Sequence, residues 1–592
     1  MRRAAVAVTC ALALAAPASV AADPGFFGSK AKNALTSPPP AASGSRLTGD
    51  QATEIFLHVV KVRDWLRHYR RGARTTQATY NKQFGDWTIK VWDRRAGEVA
   101  TGRIVDGSGK VLEAWTGPQV AWKMARGGSG AFGGKAINST PLWLAFCVAF
   151  LLGLADLRRL VSLRNLDLLV LLSFSVLLWY FNHGQVFTSA TLAYPPLLYL
   201  LGRAVWTTWR DRVGGRTSPP VWPVWVLAAA TVFVAGFRVG LNVRDSNVID
   251  VGYAGVIGAE RIAHGQSPYG HFPTEDHLKA CGAADREGEI RDRIQANGRC
   301  ESANASGDTY GPVAYEAYLL PYGILGWSGK WDTLPAAHLA AILFDVLCMV
   351  GLALVGYRFG RARLAVTLAF AWVAYPFTQY VSSSNTNDAL VPLFLIWGFW
   401  LVTSPVARGA AVALAGWTKF APLVVAPLWA SYPERRRRPQ MLFVAAFVAV
   451  TLLAFSILLL EPHPVEAARI FFRHTIRTQV DRESPFSIWD WRQYHAGLPD
   501  LHVLQRVLEG LLLVGAIAVY FVPRRKSPLQ LAALTAALLI GFELVLTHWF
   551  YLYLPWFFPF AAFALLAPER RDLATEMAAT DDRKTREPLA AH

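Results

Sequence analysis

The chain has 592 residues, of which 53% are apolar and only 17% charged, with a mean hydropathy of +0.27 and a formal net charge of +17. One hydrophobic core does not account for apolar residues gathered in such long blocks, whereas membrane spans do. The Arg clusters fall between the blocks and not along one soluble face, a positive-inside pattern that counts against a nucleic-acid partner.

The N-terminus reads Met1-Arg-Arg, an apolar run from Ala4 to Ala16, then Ser19-Val20-Ala21. Charged start, short apolar core and small residues before the cut predict a signal peptide over 1–21, with an uncleaved first helix as the alternative. Either way residues 22–135 are exported. They open on a Pro/Ser/Gly-rich linker to Gly49, followed by an amphipathic helix over Gln51–Tyr69. Alternation in Trp87–Trp92 and in Glu98–Val105, a turn at Asp106–Gly109 and a further run Lys110–Trp115 predict strands. This small α+β module resembles PepSY-like domains through its helix-plus-hairpin pattern and its closing Glu113-Ala-Trp-Thr-Gly117. Without a nucleophile or ligand cluster, its expected role is binding or packing.

A Gly-rich joint, Gly127–Gly134, leads into a mainly α polytopic transmembrane bundle over 136–567. About eleven spans are expected, near 140–156, 166–182, 185–205, 222–241, 335–356, 364–381, 388–403, 440–460, 502–522, 527–546 and 549–567. An exported first domain makes the loops alternate, and the Arg clusters agree. Arg158, Arg159 and Arg164, then Arg210, Arg212 and Arg216, then Arg358, Arg361 and Arg363, then Arg435–Arg438, then Arg524–Lys526 all fall inside, as does the tail 568–592. For Arg408 and Arg435 both to be inside, residues 409–432 must enter and return, as a re-entrant pair broken near Lys419. Broken helices at membrane depth line cavities.

The exported face then holds two long loops, Asn242–Asp332 and Glu461–Leu501, and two short ones, Ser382–Asp388 and Thr547-His548. Cys281 and Cys300 share the first of these, and an oxidising compartment favours a disulfide between them. The five cysteines lack the paired spacing of a zinc site, and no Asp-x-Asp motif or Gly-rich nucleotide loop in a βαβ setting occurs, so no metal or other cofactor is expected.

The first loop carries Arg244-Asp245-Ser-Asn-Val-Ile-Asp250-Val-Gly-Tyr253, a helix ending His264-Gly265, Ser267-Pro-Tyr269-Gly270, and Asp308-Thr-Tyr310-Gly-Pro-Val-Ala-Tyr315. A carboxylate just after a span, a helix, then Pro-Tyr and Tyr-Gly-Pro elements resemble the first exported loop of GT-C glycosyltransferases, and family 87, of the actinobacterial polyprenol-phosphate-mannose type, most of all. Gly416-Trp-Thr-Lys419-Phe-Ala-Pro422 is similar to that family's Lys-Pro segment, although Phe-Ala separates the two residues here. Ser484-Pro-Phe-Ser487 also resembles a stretch of its actinobacterial members. The resemblance covers roughly 222–567. It implies a membrane hexosyltransferase of the cell envelope. Such an enzyme moves a sugar, mannose-like, from a polyprenyl-phosphate donor to an extracytoplasmic glycan or glycolipid.

The family often spaces its base as Asp-x-x-x-Tyr, whereas only Val-Gly separates Asp250 from Tyr253. Asp250 is therefore the first candidate for the general base and Asp245 the second, against a helix-capping role for either. Donor phosphate binding falls to Arg469, Arg473, His474 and Arg477 in the second loop, with Lys419. The arginines are four apart and share a helix face, while Phe471 and Phe472 rest on lipid; an interfacial helix drawn to anionic headgroups is compatible with the same pattern. Tyr253, Tyr269, Tyr310, Asn385, Asn387 and His548 are candidate substrate contacts, and Asp388 reads first as a helix cap. Intramembrane Asp345, Lys419 and Glu543 demand partners, Asp345 on another helix. The aromatic run His548–Trp556 fits an interfacial belt, or stacking on sugar or prenyl chain. A lipid or polyprenyl transporter and a non-catalytic scaffold remain as alternatives from other classes.

Overall fold

The computed structural model describes residues 45–82, 85–94, 96–121, 130, 132–210, 222–272, 279–280, 292–294, 300–302, 307–329, 334–477, 484–491 and 498–567. The signal peptide, nearly all of the linker, Arg212, Arg216, the Cys281–Cys300 pairing and the tail lie outside the described residues. The chain divides into two compact units, Met1–Lys123 and Met124–His592.

In the first unit, helices α1 (Gly49–His58) and α2 (Val60–Leu66) cover an antiparallel sheet in the order β1 (Arg74–Asn81), β2 (Asp86–Asp93), β3 (Gly97–Val105), β4 (Val111–Thr116). Thr48 and Gln51 form a reciprocal capping box that starts α1. One helix is expected over 51–69, but it breaks at Val59 (ψ 125°), in a β-branched Val59-Val60 pair. The break lets Val62 and Leu66 join Ala52 and Phe56 over Trp87, Ile89, Val91 and Ile104. Asp106, buried at the end of β3, accepts from the amides of Arg46 (2.7 Å) and Leu47 (2.9 Å) and from the Trp87 indole (2.9 Å). Burial alone pushes its carboxyl up, but these donors outweigh it and hold the group below its ordinary value.

The second unit is a helical bundle. Its elements are α3 (Thr140–Leu154), α4 (Leu163–Asn182), α5 (Val186–Leu192), α6 (Tyr194–Arg210), α7 (Val224–Arg244), α8 (Asp250–Ala263), α9 (Leu319–Leu325), α10 (Pro335–Ala374), α11 (Pro376–Ser383), α12 (Leu390–Trp400), α13 (Pro405–Thr418), α14 (Ala426–Ala430), α15 (Arg437–Ala454), α16 (Pro464–Phe471), α17 (His502–Phe521), α18 (Pro528–Val545) and α19 (Leu554–Leu566). Six stretches among the described residues are long and apolar enough to cross a membrane, and four shorter apolar helices accompany them. Helix α10 is two helices folded back at Gly360-Arg361, where Arg361 has φ 58°. A Cβ on Gly356 would meet the Ala365 backbone at 2.5 Å, so glycine is what lets the two arms close. Outward faces of α7, α15 and α17 are apolar and exposed, among them Phe233, Leu453 and Val503, as lipid contact requires.

Two ends of this bundle differ chemically. Arg158, Arg159, Arg164, Arg358, Arg363, Arg435–Arg438 and Arg524–Lys526 share one end, stitched by the Lys526 amide to Pro433 O (2.8 Å) and Gln530 Nε2 to Thr208 O (3.2 Å). Arg408 belongs to this end but is buried. Its guanidinium donates to the carbonyls of Val402, Trp429 (3.1 Å) and Tyr432 (2.8 Å), so the chain enters at α13 and leaves after α14 side by side. The opposite end gathers residues 132–139, 242–249, 382–388, 484–491 and 545–550, held by bonds such as Asn182 Nδ2 to Asn138 Oδ1 (2.8 Å) and the Asn247 amide to Ser383 O (3.0 Å).

Inside the bundle, two buried carboxylates carry arginine partners. Asp345 takes Arg238 twice (2.5 and 3.1 Å) and the Trp372 indole (2.8 Å), and Arg238 also donates to Val373 O and Thr378, tying α7 to α10 and α11. Asp167 likewise takes Arg203 twice, at 2.7 Å, and Tyr199 at 2.8 Å. Removing one member of such a pair strands a buried charge at a cost of about 3–5 kcal/mol. Arg238→Met is expected to lower the thermal unfolding temperature of the detergent-solubilised protein accordingly. Arg238→Met combined with Asp345→Leu regains most of the loss, and equal losses in single and double variants would refute the pairing. In the first unit, the depressed Asp106 carboxyl contributes stability in full above its unfolded pKa of about 4, lost as pH falls through the lower folded value. Asp106→Asn is expected to weaken that unit at pH 7 and to flatten its acid response, followed by thermal scans of the full chain between pH 7 and pH 3.

Candidate functional site

The site grows from the loop between α11 and α12. Asn385 stands in the left-handed region (φ 51°), a conformation that costs a non-glycine residue about 1 kcal/mol or more. It is held there because its Oδ1 accepts from Asn242 Nδ2 (3.0 Å) while its Nδ2 donates to Ser246 Oγ (2.9 Å) and Asn247 O (3.2 Å). The start of α8 presses on the same loop. A Cβ on Gly252 would lie 2.1 Å from Asn385 O, and the Ile249 amide donates to Ser384 O (3.4 Å). Asn385, expected to meet substrate, instead spends its amide shaping this turn.

Asn387 and Asp388 follow, both buried. The expected capping role of Asp388 is not what is found: α12 begins at Leu390 with Ala389 as its cap residue, and no side-chain bond caps it. The carboxylate faces Lys419 instead. Helix α13 ends at Thr418, Lys419 adopts an extended conformation (φ −146°, ψ 138°), and a 3-10 turn resumes at Ala421 with Pro422 inside it. That break throws the ammonium inward, where Nζ lies 2.5 Å from Asp388 Oδ1. Three rings surround it, with centroids at 5.3 Å (Tyr553), 5.5 Å (Trp556) and 5.8 Å (Tyr310). Trp556 also donates its indole N–H to Asp388 Oδ1 (3.2 Å) and stacks on Tyr553 (4.3 Å, 25°). Desolvated cation–π contacts of this kind are worth about 2 kcal/mol. The aromatic run fits an interfacial belt by sequence, but Trp549, Phe550, Tyr551 and Trp556 are buried, because the 3-10 turn Tyr551–Tyr553 folds them into the bundle end.

Tyr310 reaches Lys419 because Gly311 permits it: a Cβ there would sit 2.0 Å from Trp417 O. Two buried tyrosines brace this loop. Tyr269 donates its hydroxyl to Tyr310 O (2.9 Å), and Tyr315 donates to Gly307 O (2.8 Å) while accepting from the Tyr310 amide (3.1 Å). Burial, with Glu316 and Asp308 nearby, pushes the Tyr269 phenol well above its ordinary value, so it serves as a neutral strut. Tyr253 is likewise fully buried, edge-on to Trp327.

The two long loops meet at Asp308. Its Oδ2 lies 2.7 Å from His474 Nδ1 and accepts from the Gly270 amide (2.9 Å), while Thr475 donates to Asp308 O (3.2 Å). His474 sits in a π-helical turn, Phe472–Arg477, that follows α16. The wider turn changes the winding between Arg469, in α16, and Arg473 and Arg477. Arg469 is exposed and pairs with Glu466 (3.3 Å); Arg473 and Arg477 are exposed in the π turn. Phe472 is exposed as expected, but Phe471 is buried against Tyr269 (5.0 Å) and Phe455 (5.1 Å).

Of the two candidate bases, Asp245 is committed to the backbone, accepting from the amides of Lys135 (3.2 Å) and Ala136 (2.9 Å). Asp250 opens α8 half-buried, beside the 384–388 loop, with Oδ1 accepting the Val251 amide (3.0 Å). His548 pairs with Ser484 (2.8 Å) and packs edge-on to Phe486 (5.2 Å), so the Ser484–Asp490 segment latches the start of the aromatic run. Trp489 completes the latch by donating to Leu544 O (3.1 Å).

Structure thus brings Lys419, Tyr310, Asn387 and the Asp308–His474 pair to one bundle end, with Asp250 on an adjoining segment. Asp388, Tyr553 and Trp556 complete the cluster, and sequence reasoning missed their place in it. The signal was present: a lysine at membrane depth requires a counter-ion, and Asp388 heads a neighbouring span. A cavity of about 410 Å³ lined by Glu434, Arg435, Arg524 and Arg525 lies at the Arg-rich end, away from this cluster. Among the described residues, no three His, Cys, Asp or Glu side chains converge as metal ligands.

Comparison with known proteins adds one finding. Residues 309–547, about two fifths of the chain, match the model of glycosyltransferase family 87. That stretch contains Tyr310, Asn387, Asp388, Lys419 and His474, while Asp250 precedes it and Tyr553 and Trp556 follow it. No curated protein and no solved structure matches. Match and architecture together make this chain a membrane glycosyltransferase whose helical unit is similar to family 87.

Proposed function

We propose that the protein transfers a hexose, mannose-like, from a polyprenyl-phosphate donor to a hydroxyl of an extracytoplasmic glycan or glycolipid. The observation that carries this reading is Lys419, a desolvated cation at a helix break, half neutralised by Asp388 and ringed by Tyr310, Tyr553 and Trp556. An ammonium has three donors, and a phosphate ester can share it with the carboxylate. Arg473 and Arg477 are exposed, as is neighbouring Phe472, and His474 between them bonds Asp308. Exposed Leu320 and Ile324 of α9 offer further apolar surface beside the first long loop. A lipid-linked donor can thus lie along apolar surface while its headgroup enters the polar end. By the positive-inside rule the Arg-rich end is cytoplasmic, so this end faces outward.

In the reaction the acceptor oxygen bonds to the anomeric carbon as the carbon–oxygen bond to phosphate breaks. The acceptor proton passes to Asp250, and polyprenyl phosphate leaves with its charge balanced by Lys419 and the basic turn. Asp245 is set aside as the base because both of its carboxylate oxygens are tied to backbone amides. General-base removal costs roughly 10²–10⁴-fold. Asp250→Asn is accordingly expected to lose transfer by that factor at unchanged thermal stability. Asp245→Asn should unfold at lower temperature yet keep most of its turnover per folded molecule. Full transfer by Asp250→Asn, measured with a radiolabelled polyprenyl-phosphate hexose, would eliminate Asp250 as the base. Lys419→Met strands the Asp388 charge and should cost about 3 kcal/mol of stability. It should also weaken binding of bare polyprenyl phosphate at least about tenfold, the loss of one charge-assisted contact; unchanged binding would remove Lys419 from the phosphate site.

A further inference from the structure

The loop that holds Asp388 carries an anomaly. Buried polar atoms in folded proteins are nearly always hydrogen-bonded, and the two carboxylates paired with arginine, Asp345 and Asp167, follow that rule. Here Asp388 Oδ2, both amide atoms of Asn387 and the Tyr318 hydroxyl are buried without a partner. All three residues are 0–1% exposed. Tyr318 packs on the same helix as that loop: on α8, a Cβ on Gly255 would come within 2.5 Å of the Tyr318 ring and one on Gly252 within 2.1 Å of Asn385 O.

These atoms are chemically complementary to vicinal hydroxyls. A carboxylate oxygen accepts, an amide donates and accepts, and a phenol does both. The Tyr553–Trp556 stack flanks the same carboxylate through the Trp556 indole, presenting aromatic faces suited to the C–H side of a pyranose. We infer that Asp388, Asn387 and Tyr318 form the subsite that reads the hydroxyls of the transferred sugar, with Tyr553 and Trp556 as its platform and Lys419 holding the adjoining phosphate. This assignment rests on the transfer reading above and deepens it, because it makes Asp388 and Tyr318 specificity-determining. A site built to hydrogen-bond hydroxyls rejects analogues lacking them far more strongly than an apolar pocket rejects a missing methylene.

The test is equilibrium binding to the full-length, detergent-solubilised protein of two lipids, polyprenyl-phosphate hexose and bare polyprenyl phosphate, with transfer by the wild type measured separately. Wild type is expected to bind the sugar-bearing lipid about tenfold or more tightly over the bare one. Tyr318→Phe removes a hydroxyl that bonds nothing within the protein, so it should keep or raise the unfolding temperature. It should nevertheless erase most of that preference while leaving bare polyprenyl phosphate within about twofold. Asp388→Asn should erase the preference as well; if it fails to fold, Tyr318→Phe decides alone. Absence of preference in the wild type, or its survival in Tyr318→Phe, overturns the subsite. Preference without any transfer by the wild type overturns the transfer reading and leaves the subsite standing.

Discussion

An ionised group inside an apolar bundle is tolerable only with a partner, and this constraint organises the helical unit. Arg238–Asp345 and Arg203–Asp167 obey it fully, each carboxylate receiving a two-pronged guanidinium and a further donor. Such forks fix geometry as well as charge, so each pair sets the register of the helices it joins. Lys419–Asp388 obeys it only in part. One carboxylate oxygen takes both the ammonium and an indole, and the other takes nothing. The same physics therefore separates pairs that hold the fold from the pair that serves the site.

Getting a lysine to that depth requires a helix to stop there. The chain achieves this by sending α13 in, breaking at Lys419 and returning through a proline-containing 3-10 turn and α14, with Arg408 clamping entry and exit at the other end. The carbonyls that Arg408 bonds are those left orphaned where helices stop, and a buried guanidinium is the side chain with enough donors for three of them. Anchoring at one end is what permits irregular backbone at the other. Close backbone approaches at Gly252 and Gly311 then bring α8 and the Tyr310 loop onto the break.

Much of this was legible in the sequence, for identifiable reasons. Apolar blocks and Arg-rich joints announce spans and their ends, since hydrocarbon imposes length and composition directly. Lys419 amid apolar residues marked the broken segment, and Asp345 announced a helix-borne partner. What stayed hidden depends on tertiary contact. Strand β1, Arg74–Asn81, is absent from the expected strands because an edge strand shows little burial alternation. Asp388 looks like a cap because the residue before an apolar helix usually is one, and only the approach of Lys419 from another segment reassigns it. The π turn stayed hidden because 472–477, wound wider than an α-helix, has no composition signature. The resemblance supplied the reaction class, which no periodicity could.

Unsatisfied polar atoms at a loop that is otherwise tightly bonded have a consequence for how the site works. Asn385 is held in a left-handed conformation by three side-chain hydrogen bonds, whereas its neighbours Asn387 and Asp388 keep bonding capacity unspent. Strain and bonds on one side of the turn thus hold donors and acceptors in place on the other, so little ordering remains to be done when a ligand arrives. Preorganised polar groups in a water-poor site act strongly, because their dipoles need not reorient as charge moves from sugar to phosphate. Lys419 links the two halves of that task. Whatever charge a leaving phosphate gains is felt at the ammonium, and a tighter grip there loosens its hold on Asp388, changing the acceptor offered to the sugar. A ligand's phosphate and sugar are in this way read by one coupled pair, not by two independent pockets.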